Sequence, residues 1–155
     1  MSSCRRILVA VLGGAALSLP VVAPGAAAPE PDGLGGCYRG GVLIGDRIAG
    51  TGSAGQGVRR QGEVWDCASP VLPGIVSGTF RAELPWRGFG TPTTGTFAWS
   101  DGSVSTVAGL PNTLWSITDG PGRGHTVRFD LDMEMNGDWY YTDNAMAIES
   151  LTVVR

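Results

Sequence analysis

The run VRFDLDMEM, residues 127–135, alternates without interruption. Val127, Phe129, Leu131, Met133 and Met135 fall on one side of an extended chain, and Arg128, Asp130, Asp132 and Glu134 on the other. A period of two belongs to a β-strand with one face on a core and the other in water, as in an antiparallel sheet. Further short β-type runs occupy 38–48, 57–67, 74–84, 94–100, 103–108, 113–118, 139–142 and 146–154, separated by Gly, Pro, Asp and Asn. No stretch holds a 3.6-residue period long enough for a stable helix. The pattern predicts a single antiparallel all-β domain of about eight or nine strands, a meander closing toward a β-barrel, with a β-sandwich as the alternative.

The connections carry most of the choice between those two. GTGSAGQG at 50–57 reads as a flexible hairpin loop. ELPWRGFGTP at 83–92, with its prolines and glycines, reads as an irregular crossing between strands, the feature that would make a sandwich. GTFRA at 78–82 echoes GTFAW at 95–99, two strands meeting the same local demand.

GTFAWSDGSVSTVAG, residues 95–109, is written like a hairpin. A two-residue turn at Asp101-Gly102 would set Ser100 opposite Ser103, Trp99 opposite Val104 and Phe97 opposite Thr106. Aromatic rings would then meet β-branched partners on one face, with Ala98 and Ser105 on a small, polar opposite face.

The N-terminal stretch changes the picture from one domain to an exported one. Arg5 and Arg6 precede an apolar run from Ile7 to Leu19, and small residues follow at 25–28, which is the grammar of a signal peptide over 1–27. Pro20 and Pro24 interrupt the apolar run, so a retained membrane span is not expected. RRILV weakly resembles a twin-arginine signal, and the export route stays open. Residues 28–36, APEPDGLGG, read as a flexible leader to an all-β domain at 37–155, secreted after cleavage near Ala27-Ala28.

Losing Arg5 and Arg6 with that segment takes the net charge from −3 to about −5. Nucleic acid is therefore not an expected partner, since no basic stripe is available for phosphates. A small molecule, a carbohydrate or an extracellular protein remain as partner classes. Every cation is an arginine, consistent with codon usage in a high-GC bacterial genome. Cys37 and Cys67 remain in the exported part, and two thiols in an oxidising compartment allow one intramolecular disulfide.

The segments SGTF at 77–80 and TPTTGTFAWSDGSVST at 91–106, with the cysteine ahead of them, resemble small exported β-rich domains of high-GC, actinobacterial type. That group has GTF strands, a WSDGSxST hairpin and no assigned activity. The resemblance covers roughly 37–108 and implies a secreted β domain. It lends no catalytic residue to any position.

The candidate chemistry is sparse. His125 is the single histidine, in DGPGRGHT, and any Ser-His-Asp arrangement would have to use it, yet the chain has no G-x-S-x-G elbow. Carboxylates for an acid pair are numerous, at Glu63, Asp66, Glu83, Asp101, Asp130, Asp132 and Glu134, which removes their diagnostic value. DMEMNGDWYYTD, residues 132–143, places Asp132, Glu134 and Asn136 at the first ligand positions of a calcium loop, Gly137 at the turn and Asp143 at its end. The competing reading is an Asn-Gly hairpin between two strands, and the flanks are not helical. With a two-residue loop there, Trp139 and Tyr141 would stand beside the acidic row; a three-residue loop would leave Tyr140 outside instead. Trp86 and Trp115 would join such a sugar-stacking surface if exposed.

No convergent catalytic set emerges, so the leading expectation is a secreted, non-enzymatic binding or interaction module. A small hydrolase using His125 or a carboxylate pair, and a calcium-stabilised extracellular domain, are the alternatives.

Overall fold

The computed structural model describes residues 33–50, 55–86, 93–109, 114–132 and 142–155. All regular structure among them is β: β1 (Gly36–Gly40), β2 (Val42–Ala49), β3 (Gln56–Ala68), β4 (Ser77–Pro85), β5 (Thr93–Trp99), β6 (Val104–Gly109), β7 (Leu114–Asp119), β8 (Thr126–Leu131) and β9 (Met146–Val154). From β2 to β9 each strand pairs antiparallel with its sequence neighbours. The ring closes where β2 meets β9 through Val42↔Ala147 and Leu43↔Met146. The expected meander is thus a closed eight-stranded antiparallel barrel with one additional strand.

The additional strand completes the seam. The run expected at 38–48 is broken at Gly41, whose N–H donates to the Glu63 carbonyl and whose carbonyl accepts from Ile148 N–H. On either side of it β1 and β2 both pair with β3 and with β9, and the register moves by one residue between the two segments. They line up as one staff of the barrel with a bulge in it, a common way to bend a strand around a tight curve.

Two expectations about connections need correction or confirmation. β4 and β5 are direct neighbours, from Gly78↔Trp99 to Ala82↔Gly95, so 83–92 joins adjacent strands and is not a crossing. With it goes the sandwich. β2 and β3 pair as far as Ala49↔Gln56, as a hairpin across the glycine-rich 50–57 loop requires. Residues 51–54 and 87–92, residues 139–141 of the strand expected at 139–142, and the expected signal segment and most of the expected leader lie outside the described residues.

The interior is filled by rings. Phe80 of β4 has its centroid 5.0 Å from those of Phe97 (β5), Phe129 (β8) and Trp115 (β7), and Trp99 stacks on Phe97 at 4.8 Å. Edge and tilted contacts at these separations are the favoured aromatic geometries. Leu43, Val64, Val107, Val127, Ile148, Leu151 and Val153 surround the rings, all buried. Val127 and Phe129 point inward as the alternation predicts, until a bulge between Asp130 and Leu131 ends the regular register.

The hairpin of β5 and β6 is shifted one residue from the two-residue-turn expectation. Phe97 lies opposite Ser105 and Ala98 opposite Val104, leaving Ser100, Asp101 and Gly102 as a three-residue loop closed by Trp99 N–H to Ser103 O at 2.9 Å. Gly102 has φ +85°, the left-handed conformation that such loops place on a glycine. The polar Ser105 is consequently inside, 0 % exposed, and Val104 outside, 53 % exposed. Two hydrogen bonds make this register tolerable: Trp99 Nε1–H donates to Ser105 Oγ at 2.7 Å, and Ser105 Oγ–H donates to Pro121 O at 2.7 Å. Replacing Ser105 by alanine strands a buried indole N–H and a carbonyl. The expected loss is about 1–3 kcal/mol in urea unfolding.

Asp101 caps the loop. Its carboxylate accepts from Ser103 Oγ–H at 2.6 Å and from Ser103 N–H at 2.9 Å. These bonds favour the charged form, so the Asp101 carboxyl is held below its ordinary value, chiefly by the Ser103 hydroxyl and then by the Ser103 amide. A depressed carboxyl contributes to stability above its unfolded pKa and loses that contribution as pH falls through the folded one. In an NMR titration Asp101 should protonate at lower pH than an unbonded aspartate, and Ser103→Ala should move it back up.

Candidate functional site

The inward row of β3 is Val58, Arg60, Gly62 and Val64, and so carries a charge into the barrel. Arg60 is 0 % exposed. Its guanidinium donates to the carbonyls of Asn144 and of Thr142, the latter at 2.7 Å. Gly45 stands directly opposite in β2, and a Cβ there would lie 2.6 Å from the guanidinium, so only glycine leaves the path open. Outside the barrel, Arg47 holds the same segment by an ion pair with Asp143 at 2.9 Å, and its guanidinium lies 4.2 Å from the Trp86 ring centroid. Two arginines therefore fasten 142–144 to the end of the barrel. Gly45→Val should displace Arg60 and lower stability by about 2–4 kcal/mol, with the largest amide shifts at 142–144.

Of the residues singled out from sequence, those described hold local structure. Asp143, at the end of the candidate calcium loop, is the carboxylate that pairs with Arg47. Asp132 N–H donates to Ala147 O. Glu134 and Asn136 lie outside the described residues, as do Trp139, Tyr140 and Tyr141. Among the described residues no three His, Cys, Asp or Glu side chains gather as a metal set. Trp115 is 1 % exposed and belongs to the core, and Trp86 lies on Arg47.

His125 sits in the turn that precedes β8, with Nδ1 3.2 Å from Gly122 O. Among the described residues its ring makes no hydrogen bond with a hydroxyl or a carboxylate. Asp130 does collect hydroxyls: Ser150 and Thr152 donate to Oδ2 at 2.7 and 2.8 Å, and Arg128 Nε–H donates to Oδ1 at 2.9 Å. That network staples β8 to β9 on the outer face and engages both carboxylate oxygens. Cys37 and Cys67 are opposed across β1 and β3 and joined as the expected disulfide.

Among the described residues, the outer face of β3, β4 and β5 is open to a ligand. Cross-strand pairing sets Trp65 beside Ser77, and Glu63 beside Thr79, with Ala98 next in line on β5. Ser100 borders this patch, its Oγ accepting from Val76 N–H at 3.0 Å and Ser77 N–H at 3.3 Å. Trp65 and Glu63 stand along the β3 side of a floor of short side chains, beside an open groove of about 500 Å³. A shallower depression of about 310 Å³ continues along the same strands between Arg81, Glu83, Thr94, Thr96 and Thr106. Glu83 is taken by Arg59, whose Nε and Nη2 both donate to Oε1 at 3.0 and 2.9 Å.

Glu63 was visible in the sequence only as one of many carboxylates, and Trp65 was not singled out at all. The signal that would have found them is the alternation of β3 itself: with Val64 facing inward, Glu63 and Trp65 must both face out. Comparison of the chain with protein-family models, with curated proteins and with solved structures found no match.

Proposed function

We propose that this chain is an exported, non-enzymatic β-barrel module that binds its ligand on the outside of the barrel. The observation that carries the reading is the filled centre. Phe80, Phe97, Phe129 and Trp115, from four strands around the ring, meet at 5–6 Å between centroids and leave the described mid-section closed to a ligand, whereas the outer face of β3–β5 carries an open groove.

Export is supported by the signal-like segment 1–27, by the Cys37–Cys67 disulfide and by the resemblance to small exported bacterial β domains. A binding role is supported by the dispersal of the groups that catalysis would need. His125 and the Asp130 cluster each end on partners that fix structure, and among the described residues neither pairs with a nucleophile activated by a base. The test is turnover of chromogenic ester, peptide and glycoside substrates by the purified exported form. None should be turned over above background. Turnover that disappears on changing one residue, such as His125→Ala, contradicts the proposal.

A further inference from the structure

We infer that the groove on β3, β4 and β5 is a sugar site, in which a pyranose ring of a neutral glycan stacks on Trp65 while Glu63 and Thr79 hydrogen-bond its hydroxyls. The inference rests on the reading of the chain as a binding module and gives that module a ligand class.

Trp65 is held in place before any ligand arrives. Arg39, its partner across β1 and β3, has its guanidinium 5.9 Å from the ring centroid, and the benzo edge of the indole lies over Gly41, 3.5 Å from where a Cβ would be. Neighbours on the β1 side leave the ring less rotamer freedom to lose on binding. Beside it the floor of Ser77, Thr79, Ala98 and Ser100 is low enough to admit a six-membered ring, and the exposed Val104, opposite Ala98, continues an apolar strip across the sheet.

The polar groups match the other side of a sugar. A pyranose presents apolar C–H bonds on its faces and hydroxyls around its edge, so it needs an aromatic wall with hydrogen-bonding groups at the margin. Glu63 is exposed, and among the described residues its carboxylate has no hydrogen-bond or ion-pair partner, which leaves its oxygens available to sugar hydroxyls as charge-assisted acceptors. The Thr79 hydroxyl, directly across from it, is likewise without a described partner and both donates and accepts.

The same features select against other ligands. Glu63 at the groove and a net charge of −3 over the whole chain disfavour polyanions. An extended peptide would gain no strand pairing here, because β3, β4 and β5 are paired on both sides within the closed ring.

The experiment is an amide and indole NMR titration of the exported form with cellopentaose, chitopentaose and maltopentaose, with an oligogalacturonate as the anionic control. At least one neutral glycan should shift the Trp65 indole N–H together with the amides of Glu63, Ser77, Thr79 and Ala98. Trp65→Ala should weaken that binding by about tenfold or more, and Glu63→Gln by roughly threefold. Trp86→Ala should leave it unchanged, and thermal melting confirms that each variant is folded.

No groove shift with any neutral glycan at about 10 mM, where a millimolar site would be mostly filled, overturns the inference, as does unchanged binding by folded Trp65→Ala. Tighter binding of the oligogalacturonate overturns the neutral assignment. A peptide that shifts the groove residues when the glycans do not overturns the sugar inference and leaves the module intact. Release of new reducing ends from a bound glycan overturns the module reading instead.

Discussion

Phe80→Ala is expected to cost about 3–5 kcal/mol of folding stability, the usual loss when a fully buried phenylalanine is truncated in a packed core. Phe80 is 0 % exposed and its ring is the one that touches Phe97, Phe129 and Trp115 together, each at 5.0 Å. Those partners come from β5, which pairs with β4, and from β7 and β8, which do not, so the ring ties β4 to strands beyond its neighbours in the sheet. Removing it opens a cavity whose walls are held apart by the hydrogen-bonded ring of strands, and little collapse can fill it. Against a total of about 5–15 kcal/mol for a domain of this kind, the loss brings the protein near its unfolding threshold. Urea unfolding measures it. Val104→Ala, on the outer face, should change stability by less than about 0.5 kcal/mol, and a Phe80→Ala loss that small would mean the centre is not packed.

Opening the disulfide is the second large effect. The cysteines are 30 residues apart in sequence, and closing a loop of that length in the unfolded chain contributes roughly 3–4 kcal/mol in the chain-entropy account. The bond also has a local task. β1 reaches β9 through only two paired positions, Gly36↔Thr152 and Cys37↔Leu151, so the clamp onto Cys67 of β3 keeps the short strand in the seam. Cys37→Ser with Cys67→Ser, or the reduced protein, should unfold at lower urea by an amount corresponding to those 3–4 kcal/mol. Hydrogen exchange should accelerate first at 36–40 and at 148–152. A loss under about 1 kcal/mol with β1 still protected would show that the barrel closes without the bond.

The strands and the closed meander were legible because two simple signals agree, period-two alternation and turn residues at close spacing. Residues 146–154 show this well, appearing as a strand where the pattern puts it, and the run expected at 126–135 forms β8 as far as Leu131. The disulfide was legible because two cysteines follow the signal-like segment, and two thiols leave one pairing.

The register of the 95–109 hairpin was not legible. Asp101-Gly102 fits both a two-residue turn and the end of a three-residue loop, and the choice falls to contacts from far along the chain. Ser105 can be inside only because Trp99 Nε1 and Pro121 O are there to bond it. Local pattern counts a serine as polar and turns it outward. The break at Gly41 is hidden in the same way, since only the partners Glu63 and Ile148 reveal the bulge.

The candidate groove shows the limit most clearly. Trp65, Ser77 and Ser100 are brought together by pairing β3 with β4 and β4 with β5, and no spacing within one run announces that meeting. Arg60 is the converse case. Alternation from Val58 to Val64 puts it inside, but its acceptability depends on Gly45 and on the carbonyls of 142 and 144. Tertiary partners decide both.

The proposed outer-face function depends on the barrel being filled. Methyl NMR under xenon pressure tests it directly, because xenon enters apolar cavities that water leaves empty. A filled barrel gives no saturable shifts at the inward methyls of Leu43, Val107, Val127 and Leu151. Saturable shifts at those methyls would reveal a hollow, ligand-sized interior and contradict the proposal.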